Sequence, residues 1–424
     1  MVLIPAVAKG GELHTLLEKA LKTSPKVEAV KRELSAAGYE VKEAYSNYLP
    51  KVEATYTYTD LSDVPSYTME LPGIPLPPTE FQLLKKKFYR WEVSAQLPLF
   101  TGGRVYSLVK VKKAKREALK EELTEVEERV LSQVAQDYYE VLKAKGLIKA
   151  ARGALKAAKE HYRVVKAFFD EGIVPRRDLL EAQVKVSQAE EALKKAEGYY
   201  RVALEKLRAD VGDYSFEPKE ELREELPRLK ERPEELVSEA LAKRALLKEL
   251  RELLRGAEAG EGLAKSQFAP KAGVELAYHR TDEYPMNGNF GYKRASLFIS
   301  FPIFEGSKRF WEVKRAREER LKVEAKLEEA RRLVRLQVIS AYQKLKTAKA
   351  RVEAAKRRVR EAEELLRSSK ERYREHVGTS TEVVDAIAYL LEAESSLTSA
   401  VADYYKALWE LRYATGRVKR ELLK

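Results

Sequence analysis

The sequence predicts an internally duplicated α+β membrane protein, in which several copies pool a few strands into a transmembrane β-barrel that continues as a long α-helical tube. Three observations predict it. The chain repeats itself at a spacing of 204 residues, each repeat carries one amphipathic β-hairpin, and each hairpin is followed by about seventy residues without a proline.

Self-similarity at a fixed spacing marks a duplicated architecture. Without a gap, the shift of 204 aligns Pro98 with Pro302, Phe100 with Phe304, Gly102 with Gly306, Gln133 with Gln337, Tyr138 with Tyr342, Ala182 with Ala386, Tyr200 with Tyr404 and Gly212 with Gly416. Upstream the shift is 220, matching Ala20-Leu21 to Ala240-Leu241 and Pro50-Lys51 to Pro270-Lys271. The halves therefore differ mainly in one connection, where Pro50 to Pro98 is 16 residues longer than Pro270 to Pro302.

Those connections read as strand. Val52, Ala54, Tyr56 and Tyr58 alternate with Glu53, Thr55, Thr57 and Thr59, a period of two with aromatic and β-branched enrichment. Tyr89, Trp91, Val93, Ala95 and Leu97 return against Phe88, Arg90, Glu92, Ser94 and Gln96, after the proline-rich loop Leu71–Pro78. In the second half Ala272, Val274, Leu276 and Tyr278 go out, the stretch Pro285–Asn289 turns, and Ala295, Leu297, Ile299 and Phe301 come back.

The rest reads as helix. Gly102 to Glu171 and Gly306 to Glu375 are each long enough for a helix of about 100 Å at 1.5 Å per residue. Four helical stretches of about half that length lie at 10–49, 178–212, 236–269 and 380–415. In the second long helix Leu327, Ala330, Val334, Val338, Ala341, Leu345, Ala348, Val352, Ala355, Val359, Ala362 and Leu366 recur mostly in alternating steps of three and four, a coiled-coil seam with one stutter. The resulting order is helices at 1–49, a hairpin at 50–100, helices at 101–212, a connector at 213–235, a helix at 236–269, a hairpin at 270–304, helices at 305–416 and a tail at 417–424.

Composition narrows the function. The chain has 80 Lys and Arg against 67 Asp and Glu, a net charge of +13, but the signs are interleaved along the helices, which argues for solvated faces and against a nucleic-acid partner. Its 35% of charged residues and scarcity of Met resemble proteins of hot environments, where ion-pair networks gain value. With no Cys there is no disulfide, thiolate metal site or lipid-bearing cysteine. No apolar run reaches the roughly eighteen residues of a spanning helix, so membrane contact falls to strands or an interfacial surface. Met1–Ala8 is too short for a signal peptide, although Ala6-Val7-Ala8 has the form of a cleavage site; it is either the stump of an export signal or an ordinary terminus.

Two hairpins give four strands, which leave two open edges and too little curvature to close. Open edges are forbidden in lipid, so strands from several copies must complete the barrel. Tyr56, Tyr58, Tyr89, Trp91 and Tyr292 suit membrane-interface girdles. The competing reading is a soluble coiled-coil scaffold whose hairpins cap its helices.

The order helix, hairpin, long helix, short helix, given twice, with Leu97-Pro-Leu-Phe-Thr-Gly-Gly103 and Phe301-Pro-Ile-Phe-Glu-Gly-Ser307 at the strand-to-helix junctions, resembles the TolC-like outer-membrane efflux protein family. The resemblance implies a homotrimer: a twelve-stranded barrel, four strands per chain, in outer-membrane lipid, continued into a periplasmic α-helical barrel of coiled-coil hairpins. It implies a passive exit duct, not an enzyme, working with a periplasmic adaptor protein and an inner-membrane transporter in efflux or secretion.

Both halves break their helices again at 169–178 and 373–382. Gly172, Ile173 and Val174, with Val377 and Gly378, are by resemblance the adaptor-docking tips. After each turn two carboxylates stand three residues apart, Asp178 with Glu181 and Glu382 with Asp385, where the helix dipole favours anions. The resemblance makes Glu382 and Asp385 a pore constriction favouring cations, and Asp178 with Tyr373 a gate latch. The second tip departs from the pattern, its glycine displaced by two residues. The four histidines are far apart, and no metal, nucleophile or phosphate-loop motif is present, so neither catalysis nor a cofactor is expected.

Overall fold

A computed structural model describes residues 11–69, 79–227, 231–286 and 288–422; the N-terminal stretch Met1–Ala8 and the loop Leu71–Pro78 lie outside them. The elements are α1 (Glu12–Thr23), α2 (Pro25–Ser46), β1 (Lys51–Asp60), β2 (Ser66–Met69), β3 (Thr79–Gln82), β4 (Lys87–Phe100), α3 (Arg104–Asp170), α4 (Arg176–Val211), α5 (Pro233–Lys243), α6 (Ala245–Lys265), β5 (Lys271–Thr281), β6 (Phe290–Ser300), α7 (Lys308–Arg374), α8 (Ser380–Ala414) and α9 (Val418–Leu422). The duplication is exact in the long helices: α3 and α7 both have 67 residues and begin 204 positions apart. Two compact units divide the chain, one made of the start through Arg32, Leu119–Glu249 and Leu327 onward, the other of Glu33–Ala118 and Leu250–Lys326.

In the second unit the main sheet is antiparallel, in the order β1-β4-β5-β6, so β1 and β6 are its edges. Register puts Val52, Ala54, Tyr56 and Tyr58 on one face with Tyr89, Trp91, Val93 and Ala95, then with Val274, Leu276 and Tyr278, then with Ala295, Leu297 and Ile299. This face is open: Leu276 is 54% exposed, Leu297 70% and Ile299 73%. An apolar surface of this extent marks contact with a membrane or another chain. The opposite face is mostly polar, although Phe88, Phe290 and Phe298 also lie on it, with Arg294 Nη2 2.5 Å from Glu275 Oε1 and His279 Nδ1 3.6 Å from Glu92 Oε2. The surplus residues of the first hairpin include a two-stranded ribbon, β2 paired with β3, which flanks the loop Leu71–Pro78 and has no counterpart in the sequence analysis.

At the first strand-to-helix junction Gly102 and Gly103 both have positive φ, and at the second Gly306 and Ser307 do. A Cβ on Gly102 would stand 2.5 Å from the Cβ of Ala269, so this turn requires glycine. Beside it Ala44 packs on Val105 and Val109, and Glu40 accepts from Lys112 (2.9 Å) and Lys115 (2.7 Å), two hydrogen bonds that hold its carboxyl down at about 2.

The first unit is helical. One core joins Leu13, Leu16 and Leu17 of α1 to Leu131, Val134 and Tyr138 of α3, Leu204 and Leu207 of α4, and Trp409 of α8. Of the seam expected on α7, Leu327, Ala330, Val334, Val338, Ala341, Leu345, Ala348, Val352, Ala355, Ala362 and Leu366 are all buried, and Val359 is half-buried. The connector after α4 lies against these helices: Lys145 Nζ donates to the carbonyls of Pro218, Lys219 and Glu220 at 3.2, 3.2 and 3.1 Å, and the Tyr405 hydroxyl donates to the carbonyl of Glu225 at 2.6 Å. It ends at Arg232, since α5 begins at Pro233.

The helical stretches at 10–49 and 236–269 are each broken, at Ser24 and at Arg244, matching positions under the shift of 220. The left-handed glycine ending α4, Gly212, sits against Thr23, and its counterpart Gly416 after α8 sits against Arg244. The break thus forms part of the duplicated plan.

Candidate functional site at the helix-hairpin tips

The first tip is a Schellman turn: Ile173 N–H donates to the Phe168 carbonyl (2.8 Å), Gly172 N–H to the Phe169 carbonyl (2.9 Å), and Gly172 has φ +75°. The second tip keeps this geometry with a different residue. Val377 N–H donates to the Arg372 carbonyl (2.9 Å), His376 N–H to that of Tyr373 (3.2 Å), and His376 takes the left-handed position at φ +60°. Its ring lies 4.9 Å from that of Phe168. The displaced Gly378 serves another purpose, since a Cβ there would meet the Arg372 Cβ at 3.0 Å.

Among the expected docking residues, Ile173 and Val377 are exposed, at 48% and 69%. Val174 differs: it is half-buried and packs inward on the tip core of Ala154, Val165, Ala182, Val383 and Ile387.

Glu382 is the third residue of α8, and the hydroxyl of the N-cap Thr379 accepts from its N–H at 3.2 Å. Its carboxylate lies 3.6 Å from the guanidinium of Arg372, a partner that the sequence reading did not find. Asp385 is exposed one turn further on, with no ion pair among the described residues. The side chain of Thr381 donates to Glu181 at 3.2 Å and links α8 to α4.

Tyr373 is buried, and its hydroxyl has no hydrogen-bond partner among the described residues. Burial first, then the negative charge of nearby Asp178, raises its phenol above the ordinary range. The structure therefore brings Tyr373 and Asp178 into one neighbourhood without a bond between them.

Sequence reasoning passed over a buried polar contact at the same place. His161 of α3 is 5% exposed, its Nε2 is 2.9 Å from the Ser380 hydroxyl at the start of α8, and its ring meets Tyr373 edge-on at 5.1 Å. Burial, with the nearby Lys370 charge, lowers its pKa to about 4, so it is neutral at neutral pH. The only sequence signal was a histidine within the apolar spacing Ala154, Ala158, Val165.

At the sheet, Tyr56 faces Trp91 and Tyr58 faces Tyr89 across β1 and β4, with the Tyr56 and Trp91 rings 4.9 Å apart. Tyr292 does not join them: it pairs with His279 on the polar face and stacks on it at 4.7 Å. Exposed aromatics also cluster at the second junction, with Phe301 at 60%, Phe304 at 81% and Trp311 at 65%. No described helix is long and apolar enough to cross a membrane.

The model of the outer membrane efflux protein family matches residues 16–213 and 236–417, both repeats of this chain. The chain belongs to the outer membrane efflux protein family. As a member, it is an outer-membrane efflux channel protein. Solved structures share its fold at low identity. Outer membrane protein VceC of Vibrio cholerae is 16% identical with a TM-score of 0.76, over 96% of this chain and 96% of that one. The CmeC outer membrane channel of Campylobacter jejuni is 15% identical with a TM-score of 0.76, over 97% and 89%. The open state of the MtrE outer membrane channel of Neisseria gonorrhoeae is 18% identical with a TM-score of 0.76, over 95% and 88%. No curated protein matches the chain in sequence.

Proposed function

We propose that three copies of this efflux protein close a twelve-stranded barrel in outer-membrane lipid and continue as a periplasmic helical tube, forming a passive, non-catalytic exit duct. The duct serves a tripartite efflux pump or type I secretion system, and opens at its tips when an adaptor and an inner-membrane transporter dock. The observation that carries the reading is the four-stranded sheet with one exposed apolar face and two free edges. Ile173 and Val377 offer exposed apolar contacts for the adaptor, while Glu382 and Asp385 narrow the pore as an acidic ring.

Planar-bilayer conductance of the detergent-purified protein tests this. The expected result is small cation-selective openings that enlarge or lose selectivity in Glu382→Ala/Asp385→Ala. A protein that stays in solution without detergent and makes no channels would refute the duct.

Tyr373 and Asp178 are proposed to latch the closed state, a role favoured by their shared neighbourhood and by the Tyr373 hydroxyl having no hydrogen-bond partner among the described residues. Tyr373→Phe combined with Asp178→Ala is expected to increase single-channel conductance. Unchanged conductance would eliminate the latch.

A further inference from the structure

The two matched breaks have the same backbone geometry: Ser24 has φ −63° and ψ 118°, Arg244 φ −57° and ψ 125°. Their causes differ. Pro25 follows Ser24, and proline drives the residue before it out of the helical region. No proline or glycine stands near Arg244: Leu241-Ala-Lys-Arg-Ala-Leu-Leu-Lys248 is made of good helix formers and would run on as one helix by itself.

What distinguishes Arg244 is its side chain, which is 1% exposed. Nη2 donates to Glu125 Oε1 on α3 at 3.0 Å, Nη1 donates to the Tyr413 carbonyl on α8, and the guanidinium lies 3.9 Å from the centre of the Tyr413 ring. The Tyr413 hydroxyl donates to the same Glu125 oxygen at 2.6 Å. A buried guanidinium is tolerated only where it is paired, and continuing the helix through Arg244 would re-aim it away from these partners. The pairing is incomplete: Arg244 Nε and Glu125 Oε2 are buried without hydrogen bonds among the described residues. The bend is therefore held by the contacts of the Arg244 side chain with Glu125 and Tyr413, working against the local helix preference.

We propose that the bend between α5 and α6 is an electrostatic hinge, held by the buried Arg244–Glu125 pair, whereas the matching bend between α1 and α2 is fixed by Pro25. The second repeat is then the half whose proximal helix can change shape.

The chain has no Cys, so pairs of introduced cysteines carry spin labels without background. Labels at Glu234 and Lys248 report the α5–α6 bend, and labels at His14 and Glu28 report the α1–α2 bend, both in the full-length detergent-solubilised protein. Glu125→Gln and Arg244→Met are expected to move part of the Glu234–Lys248 distribution out towards about 21 Å, the span of fourteen residues of straight helix. The His14–Glu28 distance should stay put in both variants. An unchanged Glu234–Lys248 distance, or equal shifts at both bends, would overturn the hinge. If Arg244→Met fails to fold, Glu125→Gln decides alone, since it keeps the shape of the pair and removes one charge.

Discussion

Leu276→Arg is expected to abolish assembly of the channel in the outer membrane, whereas Ser296→Arg leaves it intact. Leu276 lies mid-strand on the apolar face, opposite Ala95 and Ala295; Ser296 lies on the other face, opposite Glu275. An arginine facing lipid near the bilayer centre costs about 2–4 kcal/mol, and a barrel of three copies would carry three. On the polar face a new arginine finds water and a carboxylate. Heat-modifiable oligomer in the membrane fraction, followed on gels, reads the difference. Equal tolerance of both changes, or the reverse order, would mean that the apolar face meets protein instead of lipid.

Acid is expected to loosen the tips through His161. In the unfolded chain this histidine takes up a proton near 6.5; in the folded chain it does so only near about 4, because burial and Lys370 oppose the charge. Between these values the unfolded state binds more protons, so stability falls as pH falls, and above about 6.5 the group contributes no slope. The full amplitude is about 3 kcal/mol. Hydrogen exchange of the peptides around His161, Tyr373 and Ser380 at pH 7 and pH 4.5 should show lost protection in the wild type and much less in His161→Gln. Equal loss in both proteins would assign the acid response to other groups.

Much of this fold was legible from spacing alone. The α7 seam emerged with all its expected residues but Val359 buried, because a step of three or four is a property of the helix itself, independent of what the helix touches. The strands were legible for the same reason, and so, by parity, was the misplacement of Tyr292. An even-numbered residue beside Arg294 and Ser296 cannot share a face with Ala295 and Leu297. The break at Ser24 had its signal in Pro25. That at Arg244 had none, because its cause lies more than a hundred residues away in Glu125 and Tyr413. The tip shows the same limit: the Thr379 N-cap on the Glu382 N–H is local and readable, but the His161–Ser380 contact and the Arg372–Glu382 pair depend on which helices meet.

The two free edges of the sheet carry a consequence for biogenesis. β1 and β6 run in opposite directions, so β6 of one copy can add to β1 of the next and keep the ladder antiparallel. That joint is head-to-tail: it closes as a ring only if the turn per copy divides the circle, and otherwise grows as a filament. Each newly made chain is a monomer with a growing end on both sides, and its safety depends on how soon two sister chains are at hand. Slow synthesis, or a membrane crowded with other barrels, would favour polymer over pore from the same sequence.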